Sequence, residues 1–248
     1  MKYALLADIH GNKHALKAVL EDLHFQKINK IICLGDLIAI GPHSNEVLHT
    51  IMYLPNTSII TGNHDEAVLS LYFNEPYPDS HKHAKPHHEW VAQQLSEDQA
   101  QFLKKKPRQI TEDINDIRLL CTHYAYKQGM ESSPIEKDPY KRIMEPTPQN
   151  MEILFSQHDQ DIIAFGHHHQ KHDFQIEGKH YINPGALGCN DKALARYAIL
   201  AISNDGQYSI VHKEIPYNRA PLLQDYDDFA VPQRDELRKI FHGQSRSE

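Results

Sequence analysis

The chain has 248 residues, 24% charged and 40% hydrophobic, which is enough apolar material for one full globular core. Its formal net charge of −7 argues against non-specific binding to nucleic acid or to an anionic membrane surface, both of which call for a basic face. It leaves room for a phosphate-bearing substrate, because bound divalent cations reverse the local sign of a site.

YALLA (3–7) reads as a strand, and Ala15, Leu16, Val19, Leu20 and Leu23 then recur at helical spacing, with Asn12 placed to cap that helix. KIICL (30–34) is the next strand, SNEVLHTIMYL (44–54) the next helix and TSIIT (57–61) a third strand. This alternation predicts a parallel sheet with right-handed crossovers. Residues 84–106 read as two helical pieces. Ser96 and Gln99 form a capping box that starts the second, and Pro107 stops it after the lysine run 104–106, which complements the helix C-terminus. His81, His83, His87 and His88 are read as a solvated loop leading into the helix around Trp90, in preference to a second metal site.

Strand DIRLLCT (116–122) is followed by a Pro- and charge-rich loop (127–146), a helix announced by Thr147-Pro148, and strand DIIAF (161–165). FQIEGKHYIN and YAILAISNDGQYSIVHKEI read as hairpins around Glu177-Gly178 and Asp205-Gly206. The organisation expected is an α/β domain over 1–220, parallel in its first half and antiparallel in its second. A polar C-terminal extension, 221–248, follows, with a short helix at 233–242. Cys33 and Cys121 lie in apolar runs and, with Cys189 the third and last cysteine, suggest buried thiols rather than a disulfide framework. The apolar run in MKYALLADIHG is too short for a signal-peptide core and no later stretch could span a bilayer, so a cytoplasmic location is expected.

Polar clusters follow one strand after another. YALLA runs into Asp8 and His10, KIICL into Gly35-Asp36, TSIIT into Gly62-Asn63-His64-Asp65, RLLCT into His123, and IIAF into Gly166-His167-His168-His169. Ligands of open α/β sheets bind at the carboxyl ends of strands, so these clusters converge on one edge. If the histidine run is extended, His167 and His169 face one way and His168 the other. Asp8, His10, Asp36, Asn63, His123, His167 and His169 then offer oxygen and nitrogen donors without a thiolate. That set suits two divalent ions, manganese first and iron, zinc or nickel as alternatives. One aspartate can bridge two ions, and two ions roughly 3.5–4 Å apart can acidify a water and clamp a phosphoryl displacement.

The ordered motifs D-x-H, G-D, G-N-H-D, a lone H and G-H-x-H resemble the calcineurin-like metallophosphoesterase superfamily over residues 3 to about 190. NPGALG (183–188) resembles the Asn-Pro-Gly turn of its small bacterial phosphodiesterase branch. The resemblance implies two stacked mixed β-sheets flanked by helices. It assigns Asp8, His10, Asp36 and His169 to one metal, and Asp36 as bridge with Asn63, His123 and His167 to the other. His64 matches the histidine that contacts phosphate and protonates or supports the leaving oxygen; His168 takes the variable position. Other branches carry an arginine where Ile40 stands and a carboxylate, orienting the catalytic histidine, where Ala39 stands. Both departures favour the small phosphodiesterase-like branch.

The reading that results is a metal-dependent phosphoesterase acting on a diester or nucleotide, in which a metal-bridging hydroxide attacks phosphorus and His64 assists the leaving group. Asn63 and His64 are also expected to touch substrate, as is Arg142 in the 127–146 loop, whereas Tyr124, Lys141 and Arg196 are read as ordinary polar or charged surface residues. Within the enzyme class the alternative is hydrolysis of a dinucleoside polyphosphate such as diadenosine tetraphosphate. From another class it is a non-catalytic metal-binding scaffold. A nuclease lacks the basic groove it would want.

Overall fold

A computed structural model describes residues 1–243; residues 244–248 of the C-terminal extension lie outside the described part. Two mixed sheets of five strands each stack face to face. The first has the order β10-β9-β1-β2-β3. Its parallel part is β1 (Lys2–Leu6), β2 (Lys30–Cys33) and β3 (Thr57–Ile59), crossed by α1 (Lys13–Gln26) and α2 (Ser44–Met52). The antiparallel hairpin β9 (Leu194–Ile202) and β10 (Tyr208–Pro216) completes it.

The second sheet has the order β4-β5-β6-β8-β7. It consists of β4 (Gln109–Ile114), β5 (Ile117–Thr122), β6 (Ile162–Ala164), β7 (Lys171–Ile176) and β8 (Lys179–Pro184). Here the expectation of an antiparallel second half needs correcting, because β5, β6 and β8 pair in parallel and only the flanking strands reverse. The sequence reading also missed β4. QITEDI alternates poorly and packs only half-buried at an edge, so its hairpin through Asn115-Asp116 gives a weak signal.

Alternation along β1 assigns its two faces. Ala4 and Leu6 pack beneath the helices with Leu16, Val19 and Val47, whereas Tyr3 and Leu5 meet Leu119, Cys121 and Ile162 between the sheets. A third core lies under α6 (Pro148–Leu154), around Phe155, Phe165 and Tyr181. The result is helix, sheet, sheet, helix. Asn12 caps α1 by accepting from the Ala15 N–H at 3.0 Å, and the Ser96–Gln99 box starts α5 (Glu97–Lys104). All three cysteines are buried and free.

The C-terminal extension forms two helices rather than one, α7 (Ala220–Asp228) and α8 (Arg234–His242). Leu222, Tyr226, Val231 and Leu237 pack on Ile40, and the Tyr226 hydroxyl donates to the Ile40 carbonyl at 3.1 Å. His43 and His14 hydrogen-bond the Asp225 carboxylate at 2.8 and 3.2 Å and tie α7 to the core. Ile40 thus serves as the apolar anchor for this helical pair. Among the described residues no helix is long and apolar enough to cross a membrane.

Candidate metal and catalytic centre

The strands β1, β2, β3, β5 and β6 all end at one edge of the stacked sheets, and the polar clusters gather there. Asp8 follows β1, Asp36 follows β2, Asn63 and His64 open α3 (Asn63–Tyr72) after β3, His123 follows β5, and His167 and His169 follow β6. Five of these candidate donors have left-handed backbones: Asp8 (φ 54°), His10 (φ 47°), Asp36 (φ 52°), His167 (φ 67°) and His169 (φ 63°). Such a conformation costs a non-glycine residue about 1–3 kcal/mol and concentrates at functional sites. Strand β1 stops at Leu6, so Asp8 and His10 come together through the loop after it and not by strand alternation. The 167–169 run is not extended either. His167 and His169 still face the centre, and His168 turns out to meet His172 at 3.1 Å.

Asp36 sits in the middle. Its Oδ2 lies 3.7 Å from His10 Nε2 and 3.2 Å from His123 Nε2. Its Oδ1 accepts the His64 backbone N–H at 2.9 Å. His10 and His169 bring their Nε2 atoms to 3.1 Å, and His169 Nε2 is 3.8 Å from Asp8 Oδ1. Asn63 Oδ1 lies 2.9 Å from His123 Nε2 and 2.6 Å from His167 Nδ1. Donor atoms of Asp8, His10 and Asp36 fall within 4.8 Å of one another, as do those of Asp36, His123 and His167. Asp36 belongs to both groups.

Backbone carbonyls select which imidazole nitrogen faces inward. His10 Nδ1 donates to the Ile38 carbonyl at 3.2 Å and His123 Nδ1 to that of Leu34 at 2.8 Å, so Nε2 of each ring points to the centre. Burial lowers His10 to about 4 and His167 to about 3, which leaves both neutral with a lone pair to offer. For Asp36, burial opposes ionisation, but the neighbouring imidazoles, His123 foremost through its charge and its hydrogen bond, outweigh it and hold the carboxyl well below its usual range. His123 is likewise disfavoured by burial, yet the attraction of Asp36 raises it to about 9. An ionised Asp36 carboxylate beside the neutral imidazoles of His10 and His167 is a donor set open to a cation.

Two glycines set the close approaches. A Cβ on Gly62 would stand 2.2 Å from Asp36 Oδ1, and one on Gly188 would stand 1.9 Å from the Ile9 carbonyl oxygen. Within NPGALG, Leu187 and Gly188 donate to the carbonyls of Ala7 and Asp8 at 2.9 and 3.0 Å, so this turn braces the Asp8 loop. Asp65 does not reach the His64 ring. It is fully buried and accepts from the N–H groups of Leu37 (2.9 Å), Ile38 (3.1 Å) and Gly62 (3.0 Å), which locks the Asp36 loop to the start of α3.

The reading of His81, His87 and His88 as a solvated loop is overturned. Segment 79–84 forms a 3-10 turn leading into α4 (Lys85–Ala92), and His87 and His88 are buried. His81 Nε2 accepts from Asn63 Nδ2 at 2.8 Å, which turns the amide oxygen of Asn63 inward, and His88 Nε2 lies 2.9 Å from His64 Nδ1. Their spacing gave no hint of this, because the partners lie across a loop whose path the sequence leaves open. Cys189 was also passed over. Its thiol lies beside His10 and His169, and burial pushes its pKa far up, so it stays neutral.

Arg142 lines a cavity of about 490 Å³ together with Lys127, Tyr140, His81, Asn63 and His167. The reading of Tyr124 as a surface residue is corrected: it is buried, its ring 4.8 Å from that of His167 and its hydroxyl accepting from Met144, while Lys141 lines the same cavity and donates to the Leu154 carbonyl and Arg196 pairs with Glu214. On the side of His10 and His169, α8 flanks the centre: the Phe241 ring lies 6.4 and 5.8 Å from those imidazoles.

Residues 1–205 match the calcineurin-like phosphoesterase superfamily domain. An uncharacterised protein of Methanocaldococcus jannaschii is 28% identical over 204 residues, covering 75% of each chain. The symmetrical bis(5'-nucleosyl)-tetraphosphatase of Erwinia tasmaniensis is 38% identical over 74 residues, which span 29% of this chain but only 27% of that protein. The crystal structure of a metallophosphoesterase from Sphaerobacter thermophilus shares the fold with a TM-score of 0.69 at 23% identity, over 96% of this chain and 97% of that one. The chain belongs to the calcineurin-like phosphoesterase superfamily.

Proposed function

We propose that this phosphoesterase is a metal-dependent enzyme acting on a small diester or nucleotide through two divalent ions. The observation that carries the reading is the position of Asp36 in both donor groups. The donor set fits such ions, being carboxylate, amide oxygen and imidazole, with the nearby Cys189 held as a neutral thiol. Asp8, His10, Asp36 and His169 would hold one ion, and Asp36, Asn63, His123 and His167 the other. Manganese is the first candidate, with iron, zinc and nickel sharing the same donor chemistry. When bound, such a pair supplies an acidified water and neutralises charge on the phosphate oxygens.

The protein's own groups do the rest. His64, at the first turn of α3, supports or protonates the departing oxygen. Arg142 makes no hydrogen bond or ion pair among the described residues, so its guanidinium is available to a phosphate at the cavity rim. Phe241 of α8 stands beside His10 and His169, and the Arg142 cavity, which His167 and Asn63 also line, is the approach for substrate.

Hydrolysis of bis-p-nitrophenyl phosphate against p-nitrophenyl phosphate, by protein stripped and reloaded with manganese, tests this reading. Diester turnover that falls to background in Asp36→Asn is expected. Monoester turnover alone would shift the reading to a phosphatase, and none with any of the candidate metals would point to a scaffold. A second reading, hydrolysis of a dinucleoside polyphosphate, is favoured by the similarity to a symmetrical tetraphosphatase and by a cavity large enough for more than one phosphate. The products formed from diadenosine tetraphosphate separate the two.

A further inference from the structure

His64 lacks the carboxylate partner that other branches place three residues after the G-D aspartate, because Ala39 stands there. Its ring is held all the same. His64 Nδ1 lies 2.9 Å from His88 Nε2, and His88 Nδ1 lies 2.9 Å from the Tyr77 hydroxyl, which in turn is 2.9 Å from the His81 carbonyl oxygen. We propose that His88, backed by Tyr77, is the positioning residue for His64 and takes the place of the missing carboxylate.

The hydrogen-bond inventory fixes the direction of the chain. A carbonyl oxygen only accepts, so the single Tyr77 proton goes to His81. The Tyr77 oxygen must then accept, so His88 carries its proton on Nδ1. That leaves His88 Nε2 bare, and it can only accept the proton on His64 Nδ1. His64 is thereby held in one tautomer. Its Nε2 makes no hydrogen bond among the described residues and faces the leaving oxygen; bare in the neutral ring, it first takes up a proton from water and then gives it to that oxygen, while Nδ1–H stays on His88. The rings reinforce the orientation: His64 stands edge-on to His10 at 5.1 Å and to His88 at 5.0 Å. His88 is fully buried on α4, and Tyr77, half-buried, precedes the 3-10 turn.

A bare imidazole nitrogen does for a tautomer what a carboxylate does in an Asp–His pair, without adding negative charge next to Asp36. It also gives the segment 77–88 a second task beyond turning the Asn63 amide through His81.

This inference rests on the proposed phosphoesterase reading, so its test separates the two. Wild type, His64→Ala, His88→Ala, His88→Gln, Tyr77→Phe and the double variant His64→Ala/His88→Ala are compared, manganese-loaded, on a diester with an aryl leaving group and on one with an alkyl leaving group. The nitrophenolate leaves without a proton; the alkoxide needs one. His88→Ala is expected to lower kcat on the alkyl diester by roughly 10- to 100-fold, with KM and metal content unchanged and a much smaller loss on the aryl diester. The double variant should be no slower than His64→Ala alone, as for groups acting as one unit. His88→Gln, whose amide oxygen can accept from Nδ1–H, should recover part of the loss. Tyr77→Phe should show the same leaving-group selectivity more weakly, and it removes only a hydroxyl should the His88→Ala protein not fold.

Equal losses on both diesters, additive losses in the double variant, or no recovery with His88→Gln would overturn the positioning role. A wild type that hydrolyses neither diester overturns the phosphoesterase reading and this inference with it. Loss in His64→Ala with full activity in His88→Ala overturns only the inference.

Discussion

Alanine at Gly62 tests the placement of Asp36 while leaving every functional group in the protein. The Gly62 backbone, at φ −106° and ψ −179°, is open to any residue, so no conformational strain enters. The added methyl would stand 2.2 Å from Asp36 Oδ1, 2.7 Å from its Cγ and 2.5 Å from its backbone nitrogen. Relief to ordinary van der Waals separation moves the carboxylate by about 1 Å, and the contact with the backbone nitrogen prevents a simple side-chain swing. A 1 Å displacement of a positioned group costs on the order of 100-fold in rate, or about 2.7 kcal/mol in activation free energy. Overpacking of this kind also costs about 1–3 kcal/mol of stability, so a melting curve accompanies the kinetics and the assay is run well below the transition. The measurement is kcat/KM on a diester at saturating manganese, with bound metal quantified. Gly129→Ala serves as control, because nothing lies within 4 Å of its added methyl and only its φ of +71° is strained. A folded Gly62→Ala protein within threefold of wild type, with its metal intact, would refute a central role for the Asp36 carboxylate.

Asp65→Ala strands the buried N–H groups of Leu37, Ile38 and Gly62, and is expected to lower unfolding free energy by roughly 3 kcal/mol or more in a urea titration. His168→Ala should leave turnover and metal content within about twofold of wild type, since its ring meets His172 away from the donors. Asp225 supplies a pH test. Burial disfavours its charge, but hydrogen bonds from His14 and His43 outweigh this and hold its carboxyl below the usual range. Its stabilisation is therefore complete above the unfolded value of about 3.9 and is lost as pH falls through the lower folded value. Denaturation midpoints should show Asp225→Asn less stable than wild type at neutral pH, and the gap should close on acidification. A gap independent of pH would mean that the pair contributes through packing alone.

The motif residues were legible because each follows an apolar run that can only be a strand, and strand ends of a parallel sheet share an edge. The capping box at Ser96 and the hairpin turns at Gly178 and Gly206 were legible for the same local reason, since turn and cap chemistry depends on residues a few positions apart. Strand β4 was not, because an edge strand half in solvent need not alternate, and its partner β5 decides its conformation.

At the centre the same division holds. Oxygen and nitrogen donors in the order Asp8, His10, Asp36, Asn63, His123, His167 and His169 could be named from the chain alone, and so could the absence of a carboxylate at position 39. That Asp8, His10, Asp36, His167 and His169 reach the centre through left-handed backbones was decided by the tertiary fold, since local preference runs against that conformation and only surrounding packing sustains it. Tertiary structure alone also brought His88 to His64, His81 to Asn63 and Phe241 over His10 and His169. Those partners are separated by long stretches of chain, and periodicity carries no information about which distant surfaces meet. The chemistry of the donors is a property of residue type and can be read one position at a time; their orientation is a property of contacts, and exists only once the sheets have stacked.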